Sequence, residues 1–412
     1  MRSISNLAAA WKKRLRRNWL VIDGAFCYTF SEMGKILRYI LPAILFLITV
    51  STGSMLDFLE KSPEITEEKV QEWGLSMHVA MWQEHLDDGG VRCGLCPFNC
   101  VLVEGERGIC GVRAVVNDTL RALTFARPAT INLDPIEKKP LFHFTPTAKA
   151  LSVATVGCNL SCNFCQNWSL SQTLPENTHA RNVTPEELVS MARKNGATAI
   201  AYTYSEPTVF YEYMLETAKL AREAGIHNLL ISCGYINEEP LRELCKFLDA
   251  ANIDFKGWSD EFYRDYLKAT KEPVMQTLKI LAEEGVWIEV TNLIIPEAND
   301  DPDDIRRLCR WLADSIGTSV PLHFSRFHPN YKLTDRPSTP GSTLEMAYKI
   351  AKEEGMRYVY IGNVAGGEHE DTYCPSCGEK IIDRTGYSIE LNFIIDGRCG
   401  FCGSPIDGVF GN

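Results

Sequence analysis

Three closely spaced cysteines are the residues of this 412-residue chain most suited to chemistry. Cys158, Cys162 and Cys165 have the spacing CxxxCxxC and directly follow the apolar run LSVATV. Three thiolates on one loop can bind three irons of a [4Fe-4S] cubane and leave the fourth iron open, as catalytic metal sites keep an unfilled position. Phe164 stands beside the last cysteine, where it can shield a cluster. The alternatives are buried apolar cysteines, or a zinc site with a distant fourth ligand.

Two further segments carry four cysteines each and are typical of metal sites. The upstream group has the spacing CxxCxxxCx9C and consists of Cys93, Cys96, Cys100 and Cys110. Four thiolates at loop spacing suit either a zinc ion or a second [4Fe-4S] cluster, and both remain open. The downstream group consists of two CxxC knuckles followed by glycine, with the residues Cys374, Cys377, Cys399 and Cys402. These knuckles predict a structural zinc site in a zinc-ribbon-like or rubredoxin-like module.

Alternating elements from about residue 150 onward must position the central cysteines. Apolar, β-rich runs predict strands at residues 151–156, 198–203, 228–232, 252–255, 287–295, 321–327 and 357–362. Helices between them begin at clear N-caps, as at Thr184 and Asp301, each followed by proline. Strands alternating with helices predict an α/β fold with a parallel sheet, here a partial (β/α) barrel. Ligands of such folds bind at the carboxyl ends of the strands.

With these motifs the chain resembles the radical S-adenosylmethionine (SAM) superfamily. From Cys93 onward, about four fifths of the chain, it is similar to the AmmeMemoRadiSam-system radical SAM proteins, relatives of the pyruvate formate-lyase activating enzymes. The segments that carry the resemblance are CGLCPFNC at 93–100, GICGVR at 108–113, DPIEKKPLFHF at 134–144, TVGCNLSCNFCQNW at 155–168, YSEPTVFYEY at 204–213, DFKG at 254–257 and FSRFHPNY at 324–331. The resemblance implies a barrel of the radical SAM type and reductive cleavage of SAM at a [4Fe-4S] cluster. The products are methionine and a 5'-deoxyadenosyl radical, which abstracts hydrogen from a substrate.

The resemblance also implies which residues bind SAM. Glu206, after the second predicted strand, matches the acidic position that meets the amino end of SAM, and a carboxylate is a sensible partner for an ammonium group. Asp254 and Lys256 match a pair that lines the SAM pocket of the activating enzymes, and His328 matches a SAM-contacting histidine. As alternatives, Glu206 is a surface acid at a helix start, Asp254 and Lys256 form a local ion pair, and His328 is a core histidine.

Two segments bear on the substrate. Residues 231–234 read Ile-Ser-Cys-Gly where the glycyl-radical activating enzymes carry Asp-Thr-Asn-Gly, which weakens an assignment to glycyl-radical activation. Cys233 is then either a reactive thiol at the pocket mouth or an inert, half-buried cysteine. Residues 134–144 combine charge with aromatic side chains and predict an irregular loop. In that loop, Lys138 or Lys139 either holds an anionic substrate or belongs to a solvated turn.

The N-terminal segment has the features of a leader or anchor. WKKRLRR at 11–17 precedes the apolar run at 39–50, which is shorter than the ~20 residues that a spanning helix needs. Basic residues before the run and acidic residues after it are typical of a signal peptide or short anchor, so residues 36–54 are a candidate membrane tether. The alternative is a wrongly assigned leader, with the working chain starting near Met55 or Met77.

Composition and charge set the expected organisation and compartment. The predicted units are an extension (1–76), a four-cysteine segment with a connecting loop (77–150), the barrel (151–365) and a zinc-ribbon-like module (366–412). The net charge of -11 leaves an acidic body, so nucleic acid is not an expected partner. The 15 cysteines would also fit a disulfide framework. A low-potential cluster and a SAM supply belong instead to the reducing cytosol, which predicts a cytoplasmic protein.

Two hypotheses of function follow. The first is a radical SAM enzyme, an oxidoreductase or activase-like protein. Its partners would be SAM, a low-potential electron donor of the flavodoxin or ferredoxin type and, as one option, a protein substrate. The second is a metal-stabilised binding or assembly protein with a non-catalytic barrel. Intact Cys158, Cys162, Cys165 and Glu206 favour the enzyme, whereas residues 231–234 leave room for the second hypothesis.

Overall fold

A small module of short strands precedes the barrel. The computed structural model describes residues 64–364 and 369–411, so the candidate tether at 36–54 lies outside the described residues. The elements of this N-terminal module are α1 (Glu67–Glu72), β1 (Gln83–His85), β2 (Val91–Cys93), β3 (Val101–Leu102), β4 (Arg113–Val115) and β5 (Leu120–Ala122). β1, β2 and β3 form an antiparallel sheet, and β4 pairs with β5. The upstream cysteines lie at the end of β2 and in the loops that follow it.

An eight-stranded sheet forms the barrel. Its strands are β6 (Thr130–Pro135), β7 (Lys149–Ala154), β8 (Ala199–Tyr202), β9 (His227–Ser232), β10 (Ala250–Asp254), β11 (Trp287–Ile294), β12 (Leu322–Arg326) and β13 (Val359–Gly362). The spatial order runs from β13 to β6 in reverse chain order, and the strands from β7 to β13 are parallel. The seven predicted strands are present, which confirms the α/β prediction. Because β6 and β13 are the two edges of the sheet, the barrel is partial.

The antiparallel edge strand β6 was not expected from the sequence. The irregular loop predicted over 134–144 is wrong at its start, where Asp134 and Pro135 end β6 and Ile136–Lys138 forms one 3-10 turn. The hydrophobic pattern does not mark this strand, because Leu133 is exposed while the charged Asp134 is buried. A polar residue buried next to the barrel interior therefore lies where a loop was predicted.

Helices pack against the strands. They are α2 (Trp168–Ser171), α3 (Pro185–Lys194), α4 (Tyr211–Glu223), α5 (Glu238–Cys245), α6 (Asp260–Phe262), α7 (Glu272–Glu283), α8 (Pro302–Ser315) and α9 (Gly341–Glu353). Short 3-10 turns at Pro175–Asn177 and Pro207–Phe210 and a π-helical turn at Tyr263–Leu267 complete the set. The predicted N-caps are confirmed, since Thr184 Oγ1 accepts a hydrogen bond from Glu187 N and Asp301 accepts one from Asp303 N. In the described ranges, all helices are too short or too polar to cross a membrane.

A buried ion pair joins the N-terminal module to the barrel. Arg113 Nη1 lies 2.9 Å from Glu212 Oε1 in α4, and the two side chains are 2% and 1% exposed. Arg113 Nη2 also donates to the Met81 carbonyl at 2.6 Å. Removing one partner of such a pair leaves the other charge buried and unpaired, which lowers the free energy of unfolding by about 3–5 kcal/mol. The module is therefore a fixed part of the fold.

The C-terminal module packs against β13 and the segment that follows β6. Its strands are β14 (Thr372–Tyr373), β15 (Lys380–Thr385), β16 (Ser388–Asn392), β17 (Ile394–Ile395) and β18 (Arg398–Cys399). Phe142 and Tyr360 of the barrel share an apolar cluster with Cys374, Ile381 and Ile406 of the module. This shared core fixes the module at one edge of the sheet.

The last residues of the chain also bond to the barrel. Val409 N donates to the His143 carbonyl, and Thr145 N donates to the Val409 carbonyl, both at 2.7 Å. The His143 ring is fully buried, its Nδ1 donating to the Asp407 carbonyl at 2.7 Å and its Nε2 accepting from Tyr360 Oη at 2.5 Å. A backbone ladder and a buried histidine thus hold the C-terminal tail in place.

Candidate active site

A cavity of about 770 Å³ lies at the carboxyl ends of the parallel strands. Its wall includes seven of the residues predicted from the sequence: Cys158, Cys162, Phe164, Cys165, Glu206, Asp254 and Lys256. His328 lies apart, with an exposed ring whose Nδ1 is 3.0 Å from Ser338 Oγ. The fold therefore brings the three cysteines, the acids and the amine into one space, and leaves His328 outside it.

The cysteine loop leaves β7 through Gly157. This glycine has a φ of +95°, and a Cβ there would lie 2.5 Å from Val112 Cγ1 and 2.9 Å from the Cys110 carbonyl oxygen. Only glycine allows the loop to pass so close to the N-terminal module. Beyond it, Leu160 N lies 3.3 Å from Cys158 Sγ, so a backbone N–H points at the first sulfur.

The three thiols are suited to bind iron. Burial raises the pKa of the Cys158 thiol well above its usual range, and it raises that of Cys162 to about 12 although the charge of Lys256 opposes the shift. Metals bind the thiolate, so ligation must supply the free energy of deprotonation. Ser171 Oγ lies 3.2 Å from Cys165 Sγ. A [4Fe-4S] cluster fits this donor set, because three sulfurs of one loop line a cavity wide enough for a ligand at a fourth iron.

Glu206 is 3% exposed and joins the ends of β8 and β9. Its Oε1 accepts hydrogen bonds from Thr208 N at 3.0 Å, Thr208 Oγ1 at 2.7 Å and Ser232 Oγ at 2.6 Å, while Oε2 accepts one from Cys233 N at 2.9 Å. A carboxylate has about four acceptor sites, two on each oxygen, so Oε2 has capacity for one more donor. The alternative of a surface acid is wrong, because this carboxylate is buried in the cavity wall.

Asp254 and Lys256 form an ion pair at the end of β10, with 2.8 Å between Oδ2 and Nζ. Burial disfavours the charged amine, but Asp254 and the sulfur of Cys162 outweigh it and raise the pKa of Lys256. The amine therefore stays charged beside the cysteine loop. The two residues are both a local ion pair and part of the cavity wall.

A second polar cluster, centred on Asp134, extends the cavity toward β6. Asp134 accepts hydrogen bonds from Lys138 Nζ at 2.9 Å, Lys139 Nζ at 2.6 Å, Ser152 Oγ at 2.7 Å and Tyr204 Oη. Burial opposes the ionisation of Asp134, yet these donors hold its pKa below its usual range. Burial also lowers the pKa of Lys139 to about 8, against the pull of Asp134. Lys139 is 2% exposed, so the solvated-turn interpretation is wrong for it.

Three residues of the C-terminal module line the same cavity and were not found from the sequence. Glu370, Gly386 and Tyr387 contribute to its wall, the last two from the turn between β15 and β16. The Gly-Tyr dipeptide between two β-rich runs does indicate a hairpin turn. No local pattern indicates which distant site that turn will reach.

The downstream cysteines form a compact quartet. Cys374 Sγ lies 3.7 Å from Cys402 Sγ, Cys377 Sγ lies 3.8 Å from Cys399 Sγ, and all four sulfurs are within 4.8 Å of one another. A tetrahedral ion with metal–sulfur bonds of about 2.3 Å separates its ligands by about 3.8 Å. The quartet therefore fits one metal ion, with two of its cysteines exposed.

The upstream cysteines share a different space. Cys93, Cys96, Cys100 and Cys110 line one small cavity of about 20 Å³ in the N-terminal module. Arg113 and Asn159 also contribute to its wall. The four predicted cysteines therefore lie on the wall of one cavity.

The chain is similar to several known proteins. The family model described as the Radical SAM superfamily matches residues 152–312, the segment from β7 to α8. An uncharacterized protein of Methanocaldococcus jannaschii is 50% identical over 333 residues, which span 80% of this chain and 99% of that protein. The pyruvate formate-lyase-activating enzyme of Clostridium pasteurianum is 23% identical over 216 residues, 48% of this chain and 87% of that enzyme. A crystal structure of a radical SAM methyltransferase from Sphaerobacter thermophilus aligns with a TM-score of 0.43 at 16% identity, over 57% of this chain and 71% of that one.

The chain belongs to the radical SAM superfamily. It is an enzyme that cleaves SAM to generate a radical for hydrogen abstraction, with a [4Fe-4S] cluster as its cofactor. This confirms the first hypothesis of function over a non-catalytic barrel. The narrower assignment to the AmmeMemoRadiSam-system proteins stays a prediction.

Proposed function

We propose that Cys158, Cys162 and Cys165 bind the cluster and that Glu206 and the Asp254–Lys256 pair bind SAM in the same cavity. One observation carries the proposal: three thiols from one loop, a buried carboxylate and a charged amine line a single space of about 770 Å³. When bound, the cluster supplies the electron that cleaves SAM. The residues of this chain bind the two partners, orient them and exclude water.

Each SAM-binding residue has a complementary group. The free acceptor capacity of Glu206 Oε2 suits the ammonium group of SAM, and the charged amine of Lys256 suits its carboxylate. Asp254 holds the amine in place at 2.8 Å and keeps it protonated. The exposed His328 is 3.0 Å from Ser338 and would contact SAM only after a rearrangement, so we assign it no role in the binding step.

The substrate occupies the part of the cavity toward Lys138 and Lys139. Two amines and the hydroxyl of Tyr204 around one carboxylate offer donors to an anionic or carbonyl-bearing group. Ile231 and Cys233 line the cavity where the activating enzymes carry Asp and Asn, so the cavity wall differs from theirs at this point. The cavity can take either part of a protein substrate or a small molecule.

The expected setting is the reducing cytoplasm, with an electron donor of the flavodoxin or ferredoxin type. A low-potential cluster and a supply of SAM belong to a reducing compartment, which supports this setting. We assign zinc to the downstream quartet, because four thiolates at tetrahedral spacing close the coordination sphere and leave no reactive position.

The test is SAM cleavage by anaerobically prepared protein. The reduced protein should convert SAM to methionine and 5'-deoxyadenosine, and should show the visible absorption of a [4Fe-4S] cluster. A Cys158→Ala, Cys162→Ala, Cys165→Ala triple variant should lose cleavage and the share of the absorption that belongs to the catalytic cluster, while Cys309→Ala, a buried cysteine in α8, should retain both. Cleavage by the triple variant would refute the proposal. A SAM titration adds a second measurement, because affinity that does not depend on the cluster would favour a binding protein.

A further inference from the structure

We propose that the upstream quartet (Cys93, Cys96, Cys100 and Cys110) binds a second [4Fe-4S] cluster, closed by four thiolates and packed against the catalytic loop. The site itself is independent of the proposed function. Its suggested role, as the entry point for electrons, rests on that function.

The sulfurs of the upstream quartet lie too far apart for one ion. A tetrahedral ion bonded at about 2.3 Å draws its sulfurs to about 3.8 Å, as the downstream quartet shows. Among the described residues, the downstream quartet is the only set of three or more metal-ligating side chains whose donor atoms lie within 4.8 Å, so no three upstream sulfurs lie that close together. The upstream cysteines nevertheless line one small cavity. A cubane separates its four thiolate ligands further than a single ion does and therefore fits this arrangement.

A buried donor points to an anionic occupant. Arg113 lines the small cavity, is 2% exposed, and uses its Nη atoms for Glu212 and the Met81 carbonyl. Its Nε–H has no hydrogen-bond acceptor within the described part of the chain. An unpaired donor buried in this way is unfavourable, and a sulfide or thiolate acceptor would remove that cost. The remaining wall is mainly apolar, with Leu95, Phe98, Leu102, Ile109 and Val209.

The two cysteine sites are neighbours. Asn159, the residue after Cys158, is 1% exposed and lines the small cavity of the upstream quartet. On the other side, the Cys110 carbonyl would lie 2.9 Å from a Cβ at Gly157, the residue before Cys158. The catalytic loop therefore touches the upstream quartet on both sides of its first cysteine. Two clusters in these places would be separated by little more than one layer of side chains.

This placement suits a one-electron relay. A reduced flavodoxin or ferredoxin would give one electron to a cluster held by these four cysteines. The same electron would pass on to the cluster of the catalytic loop, so that the first cluster would be oxidised again. The upstream quartet also lies near the surface, because Val101, Val103 and Ile109 are 51%, 50% and 58% exposed beside Cys100 and Cys110. An external donor can reach this cluster without entering the active-site cavity.

Metal analysis and EPR spectroscopy of the reconstituted full chain test the site. The wild type should contain about eight irons, and the Cys158, Cys162, Cys165 triple Ala variant about four, with a reducible cluster still present. A Cys96→Ser, Cys100→Ser variant should likewise fall to about four irons, while the matched Cys309→Ala control should keep about eight. About four irons in the wild type, none in the triple variant and two zincs per chain would overturn the proposal.

Two measurements on unmodified protein guard against a variant that fails to fold. SAM should shift the EPR spectrum of one reduced cluster and leave that of the other unchanged, because only the catalytic cluster has an open iron. Magnetic coupling should broaden both signals when both clusters are reduced. A single signal that shifts completely with SAM would refute the second cluster.

The relay is tested on the Cys96→Ser, Cys100→Ser variant. Dithionite should reduce the catalytic cluster of this variant, while reduced flavodoxin should not. Equal reduction by both would refute the role of the upstream cluster in electron transfer.

Discussion

The catalytic loop and the downstream quartet both present cysteine sulfurs, but they arrange them differently. Around residues 158–165, three buried sulfurs line a cavity of about 770 Å³, whereas residues 374–402 draw four sulfurs to within 4.8 Å of one another. Two sulfurs of the quartet are exposed, yet four thiolates would close the coordination sphere of one ion without room for a further ligand. With the assignments proposed above, a missing fourth ligand with space beside it, rather than burial or cysteine content, distinguishes the reactive metal site from the structural one.

The largest expected effect separates these two sites. Cys162→Ser should abolish SAM cleavage and remove the catalytic iron while the downstream zinc remains. Cys377→Ser should remove the zinc and lower the melting temperature, but leave iron content and cleavage in place at temperatures below the transition. Metal content and 5'-deoxyadenosine formation on both variants check this. Loss of cleavage in a folded Cys377→Ser protein would mean that the module takes a direct part in the reaction.

Acid should weaken the contact between the barrel and the C-terminal module. Burial lowers the pKa of His143 to about 4 in the folded protein, against an ordinary value near 6.5. The unfolded chain therefore binds more protons between pH 6.5 and 4, and the free energy of unfolding should fall by up to about 3 kcal/mol across that range. Denaturant unfolding at several pH values measures it. His143→Gln, which does not titrate, should flatten this part of the pH dependence, and an unchanged profile would contradict the assignment.

Loss of one charge in the cavity should weaken SAM binding without affecting the cluster. Lys256→Met removes the charged amine next to Cys162 and leaves Asp254 without its partner. A hydrogen bond to a charged group contributes about 1.5–3 kcal/mol, so SAM affinity should fall by roughly 10- to 100-fold. Calorimetric titration of cluster-loaded protein measures the change. The exposed Lys268 is a matched control, and Lys268→Met should bind SAM as the wild type does.

The smallest expected effect tests whether the fourth iron is open. Cys233 is a further thiol of the cavity wall, and its backbone N–H donates to Glu206 at 2.9 Å. Its sulfur lies 3.9 Å from Asn159 Oδ1, on the side of the N-terminal module. Cys233→Ala should therefore keep both the iron content and SAM cleavage. Loss of iron would identify Cys233 as a fourth ligand and remove the contrast with the downstream quartet.

Much of the barrel could be predicted because its signals are local. Proline after Thr184 and Asp301 marked helix starts, and continuous apolar runs marked the parallel strands, whose two faces are both buried. The cysteine spacings were equally local. Strand β6 gave no such signal, because its buried residue is the charged Asp134 and its exposed residue is Leu133.

The features that the sequence did not indicate depend on distant partners. Glu370 and Tyr387 reach the cavity from the C-terminal module, and Arg113 reaches Glu212 across 99 positions of the chain. No spacing rule links residues so far apart. The donors around Asp134 could not be predicted for the same reason, since Tyr204 lies 70 positions away in the chain. Sequence patterns identify the ligands of a site more readily than the residues that hold and enclose it.

The contacts between Val409 and residues 143–145 have a consequence for folding. These bonds join positions about 265 residues apart, and contacts at such separation form late because closing so long a loop costs conformational entropy. The edge of the barrel beside His143 is therefore among the last parts of the described chain to reach its final contacts.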